Sequence, residues 1–374
     1  MIYLDNNATT AVDPAVLDAM LPFLKENYGN PSSSYSFGRR TAAALDTARE
    51  QVAALLGAEP RDILFTSCGT ESDNTAIASA LATTGHRHLV TTSVEHSAVK
   101  NQAEHLERLG YGVTWLPVAP DGQLDPAAVA EAIRPDTAIV SIMWANNETG
   151  VLFPIESIAN LCAERGILFH TDAVQAVGKL PIRFHAAPIH FLALSGHKLH
   201  APKGIGALAV RRRTRFSPLL LGGAQEKGKR GGTENVAAIV GLGRACELAL
   251  ARLDDENQRV RALRDRLETG ILTRVPSARI NGASAPRLPN TTNITFPGAE
   301  ASHLLARLDQ AGVCASAGSA CTSGTVSPSH VLKAMGLRDP DALASIRFSL
   351  ATSNTEAEID HVLNLFPSIL ELPA

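Results

Sequence analysis

Lys198 closes the run Ser195-Gly196-His197-Lys198, directly after an apolar segment, His190–Leu194, that reads as a strand. A lysine at a strand's exit is half-buried, and desolvation disfavours its ammonium form and lowers its pKa. That is the condition for a Schiff-base lysine. Ser195 and His197 offer hydrogen-bond donors to a phosphate. A lone lysine after a strand is more often a surface residue, so the reading needs neighbours. Asp172 supplies one, at the end of a second apolar strand in His170-Thr171-Asp172-Ala173-Val174-Gln175. A buried carboxylate there keeps a ring nitrogen protonated, and Gln175, three residues on, reaches a ring hydroxyl. Alone, such an aspartate is ordinarily a helix cap.

Three more strand exits carry candidates. Gly69-Thr70, in Thr66-Ser67-Cys68-Gly69-Thr70-Glu71, joins a strand to a helix. A helix N-terminus presents backbone N–H groups to a phosphate, here with a hydroxyl beside them. The segment lacks the pattern of a nucleotide P-loop. His96, after the strand His88–Thr92, offers an imidazole to stack on a ring and move protons. Asn147, in Trp144-Ala145-Asn146-Asn147-Glu148-Thr149-Gly150, is placed to bond a ring hydroxyl and a substrate carboxylate, although Asn-Glu-Thr-Gly is also an ordinary turn. Each signal is modest by itself. At five successive strand exits they describe a phosphate cradle, a ring partner and a covalent lysine, the requirements of pyridoxal phosphate.

Two residues in the C-terminal part complete the set. Cys321 lies in Ser316-Ala317-Gly318-Ser319-Ala320-Cys321-Thr322-Ser323-Gly324, a small-residue stretch unlike the surroundings of a structural cysteine. A sulfur carrier needs such mobility, and its thiolate is the reactive form. Arg347 lies in Ile346-Arg347-Phe348-Ser349-Leu350, where alternation puts Ile346, Phe348 and Leu350 on one face and Arg347 on the other. A guanidinium there can grip an α-carboxylate through two hydrogen bonds.

The elements that must position these groups alternate. Strands are expected at Ile63–Thr66, His88–Thr92, Val113–Leu116, Ala138–Met143, Gly166–Thr171, His190–Leu194 and Ile205–Val210, with helices at Glu71–Leu81, Ala98–Leu109 and Pro126–Ile133. This pattern predicts an α/β fold with a mostly parallel sheet of seven strands between helices, chemistry lying beyond the strands' carboxyl ends. A long helical stretch, Asn235 to Arg274, leads to a smaller α+β unit. The expected division is an N-terminal arm, 1–14, packing with the small domain, a large cofactor-binding domain, 15–261, and a small domain, 262–374, carrying the Cys321 segment. A chain of 374 residues is long for one core. With 45% hydrophobic and 19% charged residues it has the composition of an ordinary globular protein, and its net charge of -3 gives no nucleic-acid surface. The run Arg211-Arg212-Arg213 reads as a solvated strand end. Five cysteines without a C-x-x-C pair suggest neither a disulfide framework nor a zinc site. Cys162 and Cys246 fall in helical apolar spacing and read as small core residues, and Cys68 and Cys314 are read the same way. No secretory signal or bilayer-length apolar run is visible, so a cytoplasmic protein that engages no membrane is expected.

The motifs Asp5-Asn6-Asn7-Ala8-Thr9-Thr10, Gly29-Asn30-Pro31-Ser32-Ser33, Cys68-Gly69-Thr70-Glu71-Ser72-Asp73, Asn146-Asn147-Glu148-Thr149-Gly150, Thr171-Asp172-Ala173-Val174-Gln175, Ser195-Gly196-His197-Lys198 and Gly318-Ser319-Ala320-Cys321-Thr322-Ser323 together resemble the cysteine desulfurases. These are fold-type-I, class V pyridoxal-phosphate enzymes, and the likeness is to the nitrogen-fixation and iron–sulfur-assembly forms. It runs from Tyr3 to about Ile359. It implies that Lys198 carries the cofactor, Asp172 pairs with the pyridine nitrogen and Gln175 with the ring oxygen. Gly69, Thr70, Ser195 and His197 would bind phosphate, His96 would stack on the ring, and Asn30, Asn147 and Arg347 would hold the substrate carboxylate. Thr233, in Arg230-Gly231-Gly232-Thr233-Glu234-Asn235, would reach the phosphate of a second subunit, implying a homodimer with shared sites. L-Cysteine would yield L-alanine and a persulfide on Cys321. An iron–sulfur scaffold or another acceptor protein would take the sulfur, with no metal site in the chain itself beyond a cluster shared briefly through Cys321. Ala224, Ala317 and Ala351-Thr352-Ser353-Asn354 depart from the family pattern without removing a residue given a chemical role. A selenocysteine lyase or an aminotransferase on the same fold is the nearest alternative, with Cys321 against the latter. A catalytically silent scaffold is the remote one.

Overall fold

The computed structural model describes residues 1–317 and 327–370. The first strand, β1 (Ile2–Tyr3), lies outside the main sheet, which is built from β2 (Ile63–Thr66), β3 (His88–Thr92), β4 (Gly112–Leu116), β5 (Thr137–Ser141), β6 (Leu168–Asp172), β7 (Phe191–Ser195) and β8 (Gly206–Val210). Their spatial order is β2-β8-β7-β6-β5-β3-β4. Only β8 runs against its neighbours, and the remaining pairs are parallel. Every residue of β2, β3, β5, β7 and β8 is buried. Helices cover both faces of such a sheet, so its strands read as continuous apolar runs and not as alternation. After β3 the chain moves outward to β4 and then returns to place β5 on the other side of β3. A crevice opens at such a reversal, beyond the strands' carboxyl ends.

The helix Gly69–Thr84 lies against this sheet with Ala76, Ile77 and Ala80 fully buried, and its first turns present Ser72 and Asp73 inward. Small side chains at its start permit the close approach. A Cβ on Gly69 would come within 2.7 Å of Val174 Cγ2, so only glycine lets that helix N-terminus meet the exit of β6.

A second core lies around a three-stranded antiparallel sheet, in which β10 (Thr291–Thr295) is flanked by β9 (Arg279–Ile280) and, further along the chain, by the strand Ser345–Ser349. The strand Val313–Cys314 (β11) pairs with β1 in parallel, and Ser345–Ser349 is β12. Leu4, Leu267, Ile271, Phe296, Leu308, Phe348 and Phe366 fill this core. The helix Val236–Arg274 joins the two, with Ile239 and Leu242 in the first and Leu267 and Ile271 in the second. Its 39 residues span roughly 58 Å at 1.5 Å per residue. Among the described residues no helix is long and apolar enough to cross a membrane.

Phe366 stacks on Phe296 at 5.7 Å and meets Phe348 edge-on at 6.3 Å. Removing its fully buried ring leaves a cavity that rigid neighbours cannot close. Phe366→Ala is expected to cost about 3–5 kcal/mol, read as an earlier unfolding transition in urea.

Candidate active site

A cavity of about 390 Å³ opens at the carboxyl ends of β3, β5, β6 and β7, and the second core reaches it through Ser316 and Arg347. Gly69, Thr70, His96, Asn147, Asp172, Gln175, Ser195, His197, Lys198 and Arg347 all line it. Ten candidates that are scattered along the sequence therefore share one wall.

Lys198 Nζ donates to the carbonyl oxygens of Asn7 at 2.6 Å and Ala8 at 2.7 Å. Burial, then the nearby Arg347 cation, pushes its pKa down to about 8, while Asp172 and Asp5 oppose the shift. Asp172, at the end of β6, accepts a hydrogen bond from Val174 N–H at 2.9 Å. Burial raises its pKa, and His96, that N–H and Lys198 hold it down. His96 caps the helix Ser97–Arg108, its Nδ1 accepting from Ala98 N–H at 3.2 Å. The bond fixes the neutral tautomer with its proton on Nε2. Its ring is open to the cavity, and desolvation by the surrounding protein lowers its pKa.

At the other end of the cavity Ser195 Oγ is buried without a hydrogen-bond partner. It faces a helix N-terminus, whose first N–H groups have no partner within the helix. His197 shares a hydrogen bond with Thr9 Oγ1 at 3.1 Å, and burial lowers its pKa to about 4, so it is a neutral donor or acceptor. An unpaired hydroxyl, a helix N-terminus that only glycine can open, and a buried carboxylate near a depressed lysine fit the phosphate, ring nitrogen and aldehyde of pyridoxal phosphate.

Arg347 is buried and spends Nη1 on the Asn147 carbonyl at 3.0 Å and Nη2 on Asp5 Oδ1 at 2.6 Å, which leaves Nε unpartnered. Asn147 lies in the expected turn, which Asn146 builds by accepting from the N–H groups of Glu148 and Thr149 at 3.0 and 2.9 Å. Asn30 is not among the cavity's residues. It is exposed, and its Oδ1 accepts from Ser32 N–H at 2.9 Å. Thr233 is also exposed and lines a separate cavity with Ser67, Arg230 and Asn235. The helix after it starts at Val236 and is capped by Asn235, so Thr233 lies two residues before the cap. Cys321 lies outside the described residues.

Sequence reasoning missed Asp5, Asn7, Asp73 and Cys68. Asn7 lines the cavity, and its carbonyl accepts from both Lys198 Nζ and Gln175 Nε2. Cys68 is half-buried on the cavity wall and is not a core residue like Cys162 and Cys246, whose thiols burial pushes up to about 12. Asp73 is buried 3.4 Å from His170, with its Oδ1 unpaired. No spacing rule marks Asp5 or Asn7, though both stand in the Asp5–Thr10 motif. Among the described residues no group of three or more His, Cys, Asp or Glu side chains is disposed to hold a metal ion.

Comparison with known proteins gives concordant matches. The sequence profile of the Aminotransferase class-V family matches residues 2–362. The chain is 55% identical over 372 residues to a cysteine desulfurase of Nostoc sp., covering 99% of this chain and 93% of the relative. It is 54% identical over 371 residues to the cysteine desulfurase NifS of Azotobacter vinelandii, covering 99% and 92%. Among solved structures it resembles a NifS-like protein with a TM-score of 0.92 and 37% identity, covering 99% of both chains.

The electrostatics of the cavity fix the sign of two substitutions. Arg347 lowers the Lys198 pKa and Asp172 raises it. In the cofactor-free protein, amine-selective labelling of Lys198 is expected to rise through about pH 8. The midpoint should move up in Arg347→Met and down in Asp172→Asn, measured by mass spectrometry across pH.

Proposed function

Because the chain belongs to the class-V aminotransferase family and, within it, to the cysteine desulfurases, we propose that it uses pyridoxal phosphate to take sulfur from L-cysteine, releasing L-alanine and leaving a persulfide on Cys321. The observation that carries the reading is a depressed lysine, Lys198, in one cavity with a buried carboxylate, Asp172, and a buried guanidinium, Arg347. Lys198 would hold the cofactor, Asp172 would pair with its ring nitrogen and Gln175 with its ring oxygen. Gly69, Thr70, Ser195 and His197 would take the phosphate, and His96 would lie over the ring. When bound, the cofactor supplies an aldehyde that captures amines and a ring that holds the electron pair released at the substrate's α-carbon.

The chain's own groups do the rest. Lys198, with a pKa near 8, takes the α-proton as a free amine and returns it as an ammonium. Arg347 has an unpartnered Nε and donors that Asp5 and Asn147 now occupy, which suits a carboxylate that enters and shares them. Asn147 and Asn30 are further candidates for that carboxylate. His96, neutral with its proton on Nε2, can donate a hydrogen bond from that nitrogen to the substrate sulfur. The Cys321 thiolate would attack the substrate sulfur, so that an S–S bond forms as the C–S bond breaks, the electron pair of that bond going to the substrate's β-carbon, which takes a proton to become the methyl group of L-alanine.

The phosphate end has little positive charge of its own. His197 is neutral, and Arg230 is committed to Glu71 at 3.0 Å. A homodimer in which the Thr233 of a second copy reaches this phosphate is consistent with that shortage and with the exposure of Thr233. Leu219, Leu220 and Leu221 are exposed just before it, an apolar run that a second copy would cover. The persulfide would pass to an iron–sulfur scaffold or another sulfur-acceptor protein in the cytoplasm. The division into an arm, 1–14, a large domain, 15–261, and a small domain, 262–374, is part of the same reading.

Lys198→Ala is expected to abolish borohydride trapping of the cofactor and to lower turnover by roughly 100-fold or more, the scale of a lost general base. Cys321→Ala is expected to keep the bound cofactor's colour and lose cysteine-dependent sulfide release. Wild-type turnover by that variant would sink the persulfide step.

A further inference from the structure

Behind the cavity wall, Lys179 Nζ donates to the backbone carbonyl of Gln175 at 3.0 Å and to Gln175 Oε1 at 3.2 Å. On the other side of the same carboxamide, Gln175 Nε2 donates to the Asn7 carbonyl at 3.0 Å. The two partners set the orientation of the amide together. Lys179 donates, as an ammonium that has no acceptor or as an amine through its N–H groups, so the atom facing it is the oxygen. A carbonyl only accepts, so the atom facing it is the nitrogen. Gln175 is buried and lines the large cavity, and its nitrogen keeps a second N–H. We propose that Lys179 is a positioning residue that locks the Gln175 carboxamide so that the cavity receives an N–H and not a carbonyl. The proposal rests on the reading that Gln175 meets the cofactor's ring oxygen, and it adds the residue that decides how.

The backbone is shaped for this contact. Gly178 has φ +75, a left-handed conformation that turns the chain so that Lys179 folds back over its own preceding turn. A Cβ at Gly178 would collide with the Leu199 side chain. Asn257, on the long helix, fixes the turn from outside by donating to the Lys179 carbonyl at 2.9 Å. Lys179 lines a second, smaller cavity of about 90 Å³ together with Lys198, His200, Asp13 and Arg252, the charged and titratable groups around it. Burial and then Lys198 lower its pKa to about 7. A neutral amine still has two N–H groups, enough for both Gln175 oxygens, so the lock holds on either side of that pH.

An N–H donated to a ring oxygen stabilises its ionised form. Without Lys179 only the single bond to the Asn7 carbonyl holds the amide, and the carboxamide can turn and present its own oxygen, which repels that form. The test uses the visible absorption of the bound cofactor, titrated with pH in the holoenzyme, for Lys179→Met, Gln175→Ala and the double variant. Lys179→Met is expected to raise the titration midpoint in the same direction as Gln175→Ala. The double variant should match Gln175→Ala alone, since two residues acting through one contact are not additive. Lys179→Arg, which keeps donors at the site, is expected to stay at the wild-type midpoint, and it serves should the methionine variant fail to fold. An unmoved midpoint in Lys179→Met, additive shifts in the double variant, or an arginine variant that behaves as methionine does would each overturn the proposal. An unmoved midpoint in Gln175→Ala would instead show that Gln175 does not meet the ring oxygen, and the underlying reading would fall first.

Discussion

Asp172 is buried and Lys198 half-buried at adjacent strand exits, one at the end of β6 and the other just past β7, so each is part of the other's compensation in a medium that screens little. An amine there must find oxygen acceptors or lose its proton. It finds the carbonyls of Asn7 and Ala8, which belong to the N-terminal arm. The arm in turn is held by the second core. Asn6 Nδ2 donates to the Ser349 carbonyl at 3.0 Å, Asn7 N–H to Ser349 Oγ at 2.9 Å, and Asp5 pairs with Arg347. The long helix and the antiparallel sheet are therefore coupled to the charge state of a lysine in the other core.

The same constraint distinguishes the buried acids by their neighbours. Three carboxyl groups, Asp73, Glu95 and Asp172, are buried around the cavity floor. Asp73 has no cation beside it, and burial together with the other two carboxyls pushes its pKa well up. Glu95 accepts from Thr92 Oγ1 and Met143 N–H, yet burial pushes it up to about 8. Asp172 alone has His96, Lys198 and the Val174 N–H to hold its charge. Burial raises all three, and only Asp172 has an imidazole and a lysine beside it to oppose that shift.

The alternation of apolar runs and helical patterns made the sheet legible, because buried parallel strands are short and continuous in their hydrophobicity. The site candidates at β3, β5, β6 and β7 were legible for the same reason, since strand exits converge whatever the spacing between them. Asp5 and Asn7 were not. Asn7 works through its backbone carbonyl, which any residue has, and Asp5 meets Arg347 across nearly the whole chain. The helices Pro14–Lys25 and Ser36–Leu56 were not drawn from the pattern either, although the second is long and ends on a left-handed Gly57. The long helix is expected from Asn235, and Asn235 is its cap, with its side chain accepting from the Ala238 N–H, so Thr233 lies outside the helix.

Local structure also limits what the cavity's imidazole can do. As the N-cap of its helix, His96 must offer an acceptor to Ala98 N–H, and Nδ1 does so. Protonating that nitrogen would leave a helix N–H unsatisfied as well as a desolvated cation, two costs that add to the burial already lowering its pKa. Any proton His96 moves must therefore enter and leave through Nε2. A catalytic histidine elsewhere is commonly oriented by a carboxylate that favours its charged form. Here a backbone N–H orients it and favours the neutral one, so His96 is suited to donating a hydrogen bond from Nε2 and poorly suited to storing a proton as a base.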